Sequence, residues 1–555
     1  MSSVERPSPR ARLLVLLVLA LALAVAVLYA QTARHEFVSY DDGSYLTENP
    51  RVAGGLTARN VRWAFTAFHS SNWHPLTWLS HQLDVELFGL APGPHHLVGA
   101  GLHALNAALL LFFLARATGQ LAPSFLVALL FAVHPQRVES VAWASERKDL
   151  LAGLFFCATL LAYERWTRAP SRARYAAIVV ALALGLLAKP MLVSLPLVLL
   201  ALDLWPLGRV GRVPLARLLA EKLPLVALCV ASAAVTLLAQ SRGGAVQPVE
   251  ALGLPARFAT AVLGTTTYLV KLVWPTGLAF FYPHPAVVAP ETFEPFGPRV
   301  LLGALVLALV TAAAVGLRRR APWFLAGWAW MGVMLLPVIG IVQVGEQLCA
   351  DRYVYLPMVG ALLVLVFGLE ASVRAARARQ ALYALGLVAA GLLAWRAEVQ
   401  VGTWRDSGTL CRRALAVTER NYVAHEHLGL FLQRQGDLAG AEREYQAVLA
   451  ITTALPSTYI NLGAIHAGLG RRAEARAAFE TALERDPDFL KARLSLGYFL
   501  ETTGDLAGAR EQYARAAREH PDQVGPWERL AIVCQGLGRT EEARAAEERA
   551  RALGR

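Results

Sequence analysis

The sequence predicts an all-α protein in two parts, a polytopic helical membrane domain followed by a helical solenoid. Two observations lead to this prediction. The first 400 of the 555 residues contain a series of long uncharged apolar segments, and a helix that crosses a bilayer needs about 20 such residues. After residue 420, similar residues recur every 34 positions, a period typical of stacked helical repeats. We therefore predict a membrane domain over 1–400 and a repeat domain over 401–555.

Composition and charge argue against a soluble protein and against a nucleic-acid-binding protein. Hydrophobic residues make up 56% of the chain, charged residues 17%, and the mean hydropathy is +0.43, whereas soluble domains carry about 25% charged residues. The net charge is +12, and all of the excess positive charge lies before residue 401, beside the apolar segments. This distribution is typical of membrane-protein loops and not of a nucleic-acid-binding surface. We expect an integral membrane protein with no nucleic-acid partner.

Eleven segments are predicted to cross the membrane. The first, 13–33, follows Arg6, Arg10 and Arg12. It exceeds the apolar length of a signal peptide, about 7 to 15 residues, so we interpret it as a retained anchor. The others are 97–115, 117–134, 150–163, 175–188, 191–204, 223–241, 300–317, 321–345, 353–369 and 380–395. Segment 258–270 is short and is followed by Lys271, so we predict a re-entrant or interfacial helix there.

Arginine clusters in alternate loops orient these segments. The positive-inside rule then places the N-terminus in the cytoplasm and the repeat domain on the exoplasmic side. The alternation requires two spans over 175–204, separated at Lys189-Pro190. Exoplasmic segments are 34–96 (the first and longest polar loop), 134–149, 242–299 and 343–352. The chain contains 48 Arg and 5 Lys, which favours a GC-rich bacterial genome and hence a bacterial inner membrane with a periplasmic repeat domain.

The repeat domain resembles an array of about four tetratricopeptide (TPR) repeats. A small residue recurs, always after a leucine, at Gly429, Gly463, Gly497 and Ala531, and an aromatic residue recurs at Tyr445, Phe479 and Tyr513. In such a helix-turn-helix unit the small residue lets two helices approach, and the aromatic ring fills the space between neighbours. We expect these residues to build the solenoid. The array implies an extended surface for a protein or peptide.

Four polar groups in the predicted exoplasmic segments are candidates for chemistry, because polar groups near membrane depth are costly. The first is Tyr40-Asp41-Asp42-Gly43. Asp-Asp-Gly is a good turn sequence. The functional alternative is a general base that takes a proton from an acceptor hydroxyl, or a ligand for a divalent ion. In that alternative the second carboxylate orients the first or holds the acceptor.

The second candidate group surrounds the segment Asn72-Trp73-His74-Pro75. His81, Asp84, His95 and His96 follow it. Histidine and aspartate are metal ligands, but the adjacent pair His95-His96 lacks the i,i+4 spacing of a helical zinc pair. An interfacial helix or a sugar-stacking surface is an equally suitable interpretation.

The third and fourth groups combine acids and bases. His134–Ser140 leads to Glu146-Arg147-Lys148-Asp149, and Glu346 precedes Asp351-Arg352-Tyr353. Basic residues on the exoplasmic side contradict the positive-inside rule, and a lipid phosphate provides a reason for them, because guanidinium and ammonium groups bind phosphate. A salt-bridged helix end is the alternative.

The order of these motifs resembles the transmembrane and TPR repeat-containing (TMTC) protein O-mannosyltransferases and their bacterial relatives. It runs from Tyr-Asp-Asp through "NVRWAFTAFHSSNWHPLTWLSHQLD", "HHLVGAGLHALN", "HPQRVESVAWASERKDLL" and "DRYVYLPMVG" to the repeats. The resemblance implies a GT-C membrane fold and an inverting glycosyltransferase. The donor would be a polyprenyl-phosphate sugar, with mannose as the expected sugar, and the acceptor a hydroxyl, expected to be Ser or Thr of an exported protein. The repeats would dock the acceptor or a partner.

The resemblance also assigns site residues by position. It makes Asp41 or Asp42 the catalytic base. Substrate-binding residues are His74, His96, His134, Glu139, Arg147, Lys148, Asp149, Arg352 and Tyr353, of which Arg147, Lys148 and Arg352 contact the donor phosphate. Many GT-C enzymes use a divalent metal, so a metal remains an open expectation. The alternatives are a non-catalytic TPR scaffold in the membrane and an oligosaccharide ligase.

Overall fold

The computed structural model describes residues 9–243 and 252–554 and divides the chain into two compact units, Met1–Thr418 and Glu419–Arg555. Arg6 and residues 244–251 of the predicted loop 242–299 lie outside the described residues. The first unit continues beyond residue 400 because α18 (Ala376–Gly402) runs through that position. The next helix, α19 (Ser407–Val417), is then tied to the first loop, since the Ser407 hydroxyl accepts a hydrogen bond from the Ser39 amide at 2.8 Å.

The first unit is a bundle of helices with one short pair of strands. The remaining helices are α1 (Pro9–Tyr29), α2 (Pro50–Ala53), α3 (Ala58–Thr66), α4 (Pro75–Phe88), α5 (Pro92–Thr118), α6 (Leu121–Val133), α7 (Val138–Ala142), α8 (Arg147–Arg168), α9 (Arg172–Ala188), α10 (Leu195–Leu204), α11 (Leu215–Ala220), α12 (Leu223–Arg242), α13 (Leu254–Val273), α14 (Pro285–Val288), α15 (Pro298–Gly316), α16 (Pro322–Leu335) and α17 (Pro357–Ser372). Strands β1 (Tyr282–Pro283) and β2 (Gln347–Cys349) pair antiparallel.

The helices have their ends in two polar layers. In one layer, which we call the basic end, Arg10 donates to the Gly119 carbonyl at 3.0 Å, and Arg116 and Arg168 both pair with Glu164. This layer therefore contains the start of α1 and the ends of α5 and α8. The opposite layer, which we call the site end, contains the first residues of α8.

Helices α9 and α10 run in opposite directions between these layers. Lys189, which follows α9, contacts Asp149 at the site end, whereas Asp203 in α10 accepts a hydrogen bond from Tyr163 near the basic end at 2.7 Å. The break falls at Lys189 because a proline disfavours helical backbone in the residue before it. Segment 175–204 therefore forms two helices.

Among the described residues, five helices are long and apolar enough to cross a membrane, or six if one bent pair is counted as a single span. The five are Pro9–Arg34, Pro92–Thr118, Leu223–Arg242, Pro298–Gly316 and Ala376–Gly402. The predicted number of eleven spans is not confirmed. Prolines account for part of the difference, since the chain bends by 58° between Val133 and Pro135. The predicted span 321–345 is also shortened, because α16 ends at Leu335, before Pro337.

Helix α13 covers the segment predicted to be re-entrant or interfacial. It is not among the five candidate spans. The chain around 341–351 lies along it, since Arg257 bonds to the Ile341 carbonyl at 3.0 Å and Lys271 approaches Asp351 at 3.5 Å. An interfacial position for α13 stays a prediction.

The second unit consists of four helical hairpins, as the 34-residue period predicts. Its helices are α20 (Tyr422–Arg434), α21 (Leu438–Ile451), α22 (Pro456–Gly468), α23 (Arg472–Arg485), α24 (Leu490–Thr503), α25 (Leu506–Glu519), α26 (Val524–Gly536) and α27 (Thr540–Leu553). The recurring aromatic side chains Tyr445, Phe479 and Tyr513 are buried. Each lies against the recurring glycine of its own hairpin. A Cβ on Gly429, Gly463 or Gly497 would lie 2.6–3.0 Å from the ring.

We expect Gly497→Ala to destabilise the second unit by about 1–3 kcal/mol, because its new methyl group would lie 2.6 Å from the Tyr513 ring inside a packed core. The readout is temperature-dependent alkylation of Cys534, which is buried in α26, followed by peptide mass spectrometry. Gly525→Ala is the matched control, since no atom lies within 4 Å of its added Cβ. Equal labelling temperatures for wild type and Gly497→Ala would contradict the packing role of Gly497.

Candidate active site

The adjacent carboxylates Asp41 and Asp42 have opposite environments. Asp42 is fully buried. It accepts hydrogen bonds from the Val38 amide at 2.9 Å, from the Ser145 amide at 3.0 Å and from the Ser145 hydroxyl. Burial raises the pKa of Asp42 to about 6, while these hydrogen bonds act in the opposite direction. Asp42 therefore fastens the first polar loop to the chain just before α8.

Asp41 is exposed at the surface of the same turn. Its backbone has φ of 103°, a left-handed conformation that is uncommon for a residue with a Cβ. No hydrogen bond to its carboxylate comes from the residues that the structure describes. Desolvation by the surrounding protein raises its pKa, and the positive charges of Lys148 and Arg352 partly oppose that shift. The turn thus presents an unpaired carboxylate beside two cations.

Asp41 belongs to a group of acids and bases that we call the charged cluster. Its centre is Glu146, whose carboxylate lies 3.1 Å from Lys148 Nζ, 3.2 Å from Lys189 Nζ and 3.5 Å from Arg352 Nε. These cations come from three different parts of the chain and meet only in the folded structure. The members of the charged cluster are Asp41, Glu139, Glu146, Lys148, Asp149, Lys189 and Arg352.

The remaining two acids hold the cations in position. Glu139 pairs with the Arg352 guanidinium and accepts a hydrogen bond from the Arg352 amide at 3.0 Å. Asp149 accepts from Lys189 at 2.6 Å and from the Ser140 hydroxyl at 3.0 Å. Burial, and then the nearby Glu146, raise the pKa of Asp149 to about 7 despite Lys189. Segments 134–149 and 351–353 are therefore joined by charge pairs.

The three cations keep part of their surface accessible. Their side chains are 11% exposed for Lys148, 13% for Lys189 and 11% for Arg352. These accessible parts leave room for contact with a group that carries several anionic oxygens. The pairing of each cation with a carboxylate fixes its position before any ligand binds, which is the arrangement that stabilises developing charge.

Aromatic rings form one side of the charged cluster. Lys148 Nζ lies 4.6 Å from the Tyr45 ring centre, and the Arg352 guanidinium lies 5.4 Å from that of Trp143 and 5.0 Å from that of Tyr353. Tyr40 stacks on Trp143 at 5.1 Å. These contacts add cation–π attraction to the ion pairs. Tyr45 and Trp143 are buried, whereas Tyr40 and Tyr353 are half-buried and keep part of their surface accessible beside these cations.

Several predicted substrate-binding residues are not part of the charged cluster. Arg147 is buried and contacts Asp84 at 2.8 Å, the His95 carbonyl at 2.7 Å and the Ser80 hydroxyl at 3.1 Å. Because the donors of Arg147 are directed at those groups, Arg147 does not lie on the exposed side of Lys148.

The predicted histidines are also buried. His96 contacts the Glu36 carbonyl at 3.3 Å, and His134 contacts the Leu272 carbonyl at 3.0 Å. His74 packs on the Trp78 ring at 4.6 Å and lies 5.6 Å from the Tyr45 ring, which also contacts Lys148. Each therefore links segments of the fold, and His74 lies nearest to the cluster. Their substrate-binding role stays a prediction.

Lys189 is a member of the charged cluster that the sequence reasoning missed as a site residue. It follows α9 and precedes Pro190, and the sequence analysis used that pair only to divide two apolar segments. One signal was present, because Lys189 is one of five lysines in the chain and lies between two long apolar segments, where a charge is costly without a partner.

The charged cluster does not fit a divalent metal ion. Three cations lie within 3.5 Å of Glu146, and Lys189 and Arg352 also pair with Asp149 and Glu139. A metal ion at these oxygens would be placed against positive charges that already occupy the coordinating positions. The open expectation of a metal is therefore not supported at this cluster.

We expect Asp42→Asn to destabilise the first unit by about 1–3 kcal/mol, because an amide provides one acceptor oxygen where the carboxylate serves three donors. Thermal unfolding in detergent, followed with a thiol-reactive fluorogenic dye, reports this change because the described cysteines are buried. Asp41→Asn removes an unpaired, exposed carboxylate and should leave the midpoint unchanged. Equal midpoints for the Asp42→Asn protein and wild type would contradict the anchoring role.

Comparison with known proteins gives a matching family model and several curated relatives. The tetratricopeptide repeat family (TPR_16) matches residues 460–524. The protein O-mannosyl-transferase TMTC1 of Mus musculus is 35% identical over 150 residues, which is 25% of this chain and 15% of the relative. The protein O-mannosyl-transferase TMTC4 of Mus musculus is 25% identical over 429 residues, 68% of this chain and 57% of the relative. These matches span less than two thirds of either relative.

Among solved structures, the crystal structure of MamA is 18% identical and covers 26% of this chain and 86% of its own chain, with a TM-score of 0.25. The names of the curated relatives indicate which family this chain resembles. The resemblance predicted from the motifs is thus confirmed: this chain is similar to TMTC-family protein O-mannosyltransferases, at modest identity over part of its length, and contains tetratricopeptide repeats.

Proposed function

We propose that this protein is an inverting membrane glycosyltransferase that transfers mannose from a polyprenyl-phosphate donor to a hydroxyl group, specifically to Ser or Thr of an exported protein. The observation that carries the proposal is the unpaired Asp41 carboxylate beside Lys148 and Arg352, two of the three cations fixed around Glu146. The names of the relatives provide the reaction class. The geometry of this chain provides the division of roles.

In this proposal the donor phosphate binds on the exposed side of Lys148, Lys189 and Arg352. Phosphate oxygens match the planar guanidinium of Arg352, and the two ammonium groups act as point charges. When the bond between the sugar C1 and the phosphate oxygen breaks, its electron pair stays on the phosphate. The three cations stabilise that growing negative charge, and their carboxylate partners keep them from reorganising.

Asp41 acts as the base on the other side of the reacting carbon. The acceptor hydroxyl oxygen forms a bond to C1, and its proton passes to the Asp41 carboxylate. Desolvation raises the pKa of Asp41, which makes its carboxylate a stronger proton acceptor than an ordinary Asp. Asp42 does not touch the substrates in this scheme and is a positioning residue.

The location of the charged cluster suits a lipid-linked donor. The cluster lies at the helix ends of α8 and α9, so a phosphate bound there leaves its polyprenyl chain free to enter the apolar layer. We place this end on the exoplasmic side, which is the periplasm if the membrane is a bacterial inner membrane. The arginines of the basic end then face the cytoplasm, as the positive-inside rule requires.

The repeat unit provides a surface for the acceptor protein. A cavity of about 800 Å³ in this unit is lined by aromatic and charged side chains. Tyr498 is half exposed there, and Lys491, Glu528 and Arg529 lie beside it. We propose that this cavity holds an extended acceptor segment, the mode in which solenoids bind peptides.

We expect Asp41→Asn to lower the transfer rate by roughly 10²–10⁴-fold, the range for loss of a general base. The measurement uses purified protein, polyprenyl-phosphate [¹⁴C]mannose and a Ser/Thr-rich peptide. Glu36→Gln is the matched control, because it removes another exposed acid of the same loop. Since only ionised Asp41 accepts a proton, activity should fall with decreasing pH through a midpoint above 3.8, the ordinary Asp value.

A variant that ends at Thr418 separates the two units. Transfer to a short peptide that survives this truncation but is lost in Asp41→Asn supports an enzyme with a docking domain. The scaffold alternative gives the opposite pattern, in which Asp41→Asn preserves the cellular function and loss of the repeats abolishes it. Lack of transfer by wild type across a panel of polyprenyl-phosphate sugars would overturn the proposal.

We expect Lys189→Gln to lower kcat by roughly 10²–10³-fold, the loss found when one stabilising group is removed from a developing anion. The assay is the same, with donor concentration varied so that kcat and KM are separated. Arg174→Gln is the control, because Arg174 lies at the opposite end of the same helix. A Lys189→Gln protein with unchanged kcat would remove Lys189 from the proposed phosphate site.

A further inference from the structure

We propose that His81, Asp84 and His95 form a second site in this protein, one that binds a zinc ion. The three side chains are buried, and their nearest ligand atoms all lie within 4.8 Å of one another. The proposed site is separate from the charged cluster, and it does not depend on the proposed transferase activity.

The distances suit a small transition-metal ion. His95 Nδ1 lies 3.6 Å from Asp84 Oδ2. Zinc bonds of about 2.0–2.1 Å in tetrahedral geometry place two ligand atoms roughly 3.3 Å apart. Separations of up to 4.8 Å exceed this spacing by at most about 1.5 Å, a difference that side-chain rotation can close.

The hydrogen bonding of the two histidines leaves lone pairs for an ion. His95 Nε2 lies 2.9 Å from the Gly89 carbonyl. That contact assigns the proton to Nε2 and directs an unprotonated Nδ1 toward Asp84. Neither ring nitrogen of His81 has a hydrogen-bond partner among the described residues, although its side chain is fully buried. A buried imidazole without a partner is costly, and a metal bond would satisfy it.

The fold brings these residues together in a simple way. His81 and Asp84 lie three residues apart in α4 and so occupy one face of that helix. A tight turn at Gly89, which has φ of 62°, leads directly into α5. His95 lies in the first turn of α5 and reaches back to α4.

Arg147 completes the surroundings of the proposed site. It lies 2.8 Å from Asp84 Oδ2. A carboxylate has about four acceptor positions, so Asp84 can bind an ion and keep the Arg147 contact. With one carboxylate, one arginine and two imidazoles, the site lacks the oxygen ligands that calcium and magnesium require. Imidazole nitrogen is a preferred ligand of zinc.

The position of the site defines its role. An ion bound by α4 and α5 would be connected through Asp84 to Arg147. Arg147 is the first residue of α8 and precedes Lys148. Three side chains leave the fourth tetrahedral position to a water molecule. We assign the ion the role of holding the first polar loop against the helix that carries the charged cluster.

The test uses the full chain purified in detergent without a histidine tag and stripped with EDTA. We expect it to bind one zinc ion per chain, measured by elemental analysis after gel filtration, and its unfolding midpoint to rise with added ZnCl₂ by mass action. His81→Gln and Asp84→Asn should bind zinc roughly tenfold or more weakly. His96→Gln, which alters the adjacent buried histidine outside the site, should bind as wild type does.

Two further measurements make the result decisive. Cobalt replacing zinc should give visible absorption bands in wild type and in His96→Gln but not in His81→Gln. The unfolding midpoints of the metal-free proteins show whether each variant is folded. If His81→Gln is not folded, Asp84→Asn replaces it in the binding measurements. Absence of stoichiometric binding by wild type at micromolar zinc overturns the proposal, and so does equal binding by folded His81→Gln and Asp84→Asn proteins.

Discussion

The buried carboxylate of Glu146 is the constraint on which the candidate active site depends. An ionised carboxylate that is withdrawn from water requires positive charge nearby. Glu146 receives it from Lys148, Lys189 and Arg352. The three cations lower the pKa of Glu146 against the effect of burial. Because each cation arrives from a different part of the chain, this charge balance also fixes the relative positions of three segments.

The same constraint explains why the cations are available for a ligand. A buried pair that loses one partner costs about 3–5 kcal/mol, so the lysines and the arginine are held in place even when no substrate is bound. Their side chains remain about one tenth exposed. A group of fixed, partly exposed cations is a preorganised anion site, and it needs little rearrangement when a phosphate arrives.

Asp41 and Asp42 show how tertiary structure separates two identical neighbours. The backbone turn at Asp41, with its positive φ, directs the two side chains into different surroundings. The carboxylate oxygens of Asp42 accept hydrogen bonds from Val38 and Ser145. Asp41 faces the cations and has no hydrogen-bonding partner among the described residues. The sequence analysis left open which of the two is the base, since adjacent residues of the same type have the same chemistry until the fold gives them different neighbours.

The limits of sequence reasoning follow from the range of the interactions involved. The repeats were predictable because their pattern is local: a glycine and the aromatic ring that covers it recur at a fixed period, and both lie in one hairpin. The grouping of Glu139, Lys148, Asp149 and Arg352 was inferred through the resemblance. The number of spans was not predictable from apolar length, because prolines at 135, 190 and 337 end or bend helices inside apolar segments.

The sequence by itself determined the division into an apolar helical part and a repeat part, the helical hairpins of the repeats, and the motifs that make the chain similar to its curated relatives. These properties depend on composition and on neighbours within about one turn or one hairpin. Only the tertiary structure decided that Lys189 joins the charged cluster, that Arg147 turns to Asp84 and His95, and that Asp42 is an anchor. Those outcomes depend on contacts between residues far apart in the chain, where burial favours partners for charges and hydrogen-bond donors that local sequence does not specify.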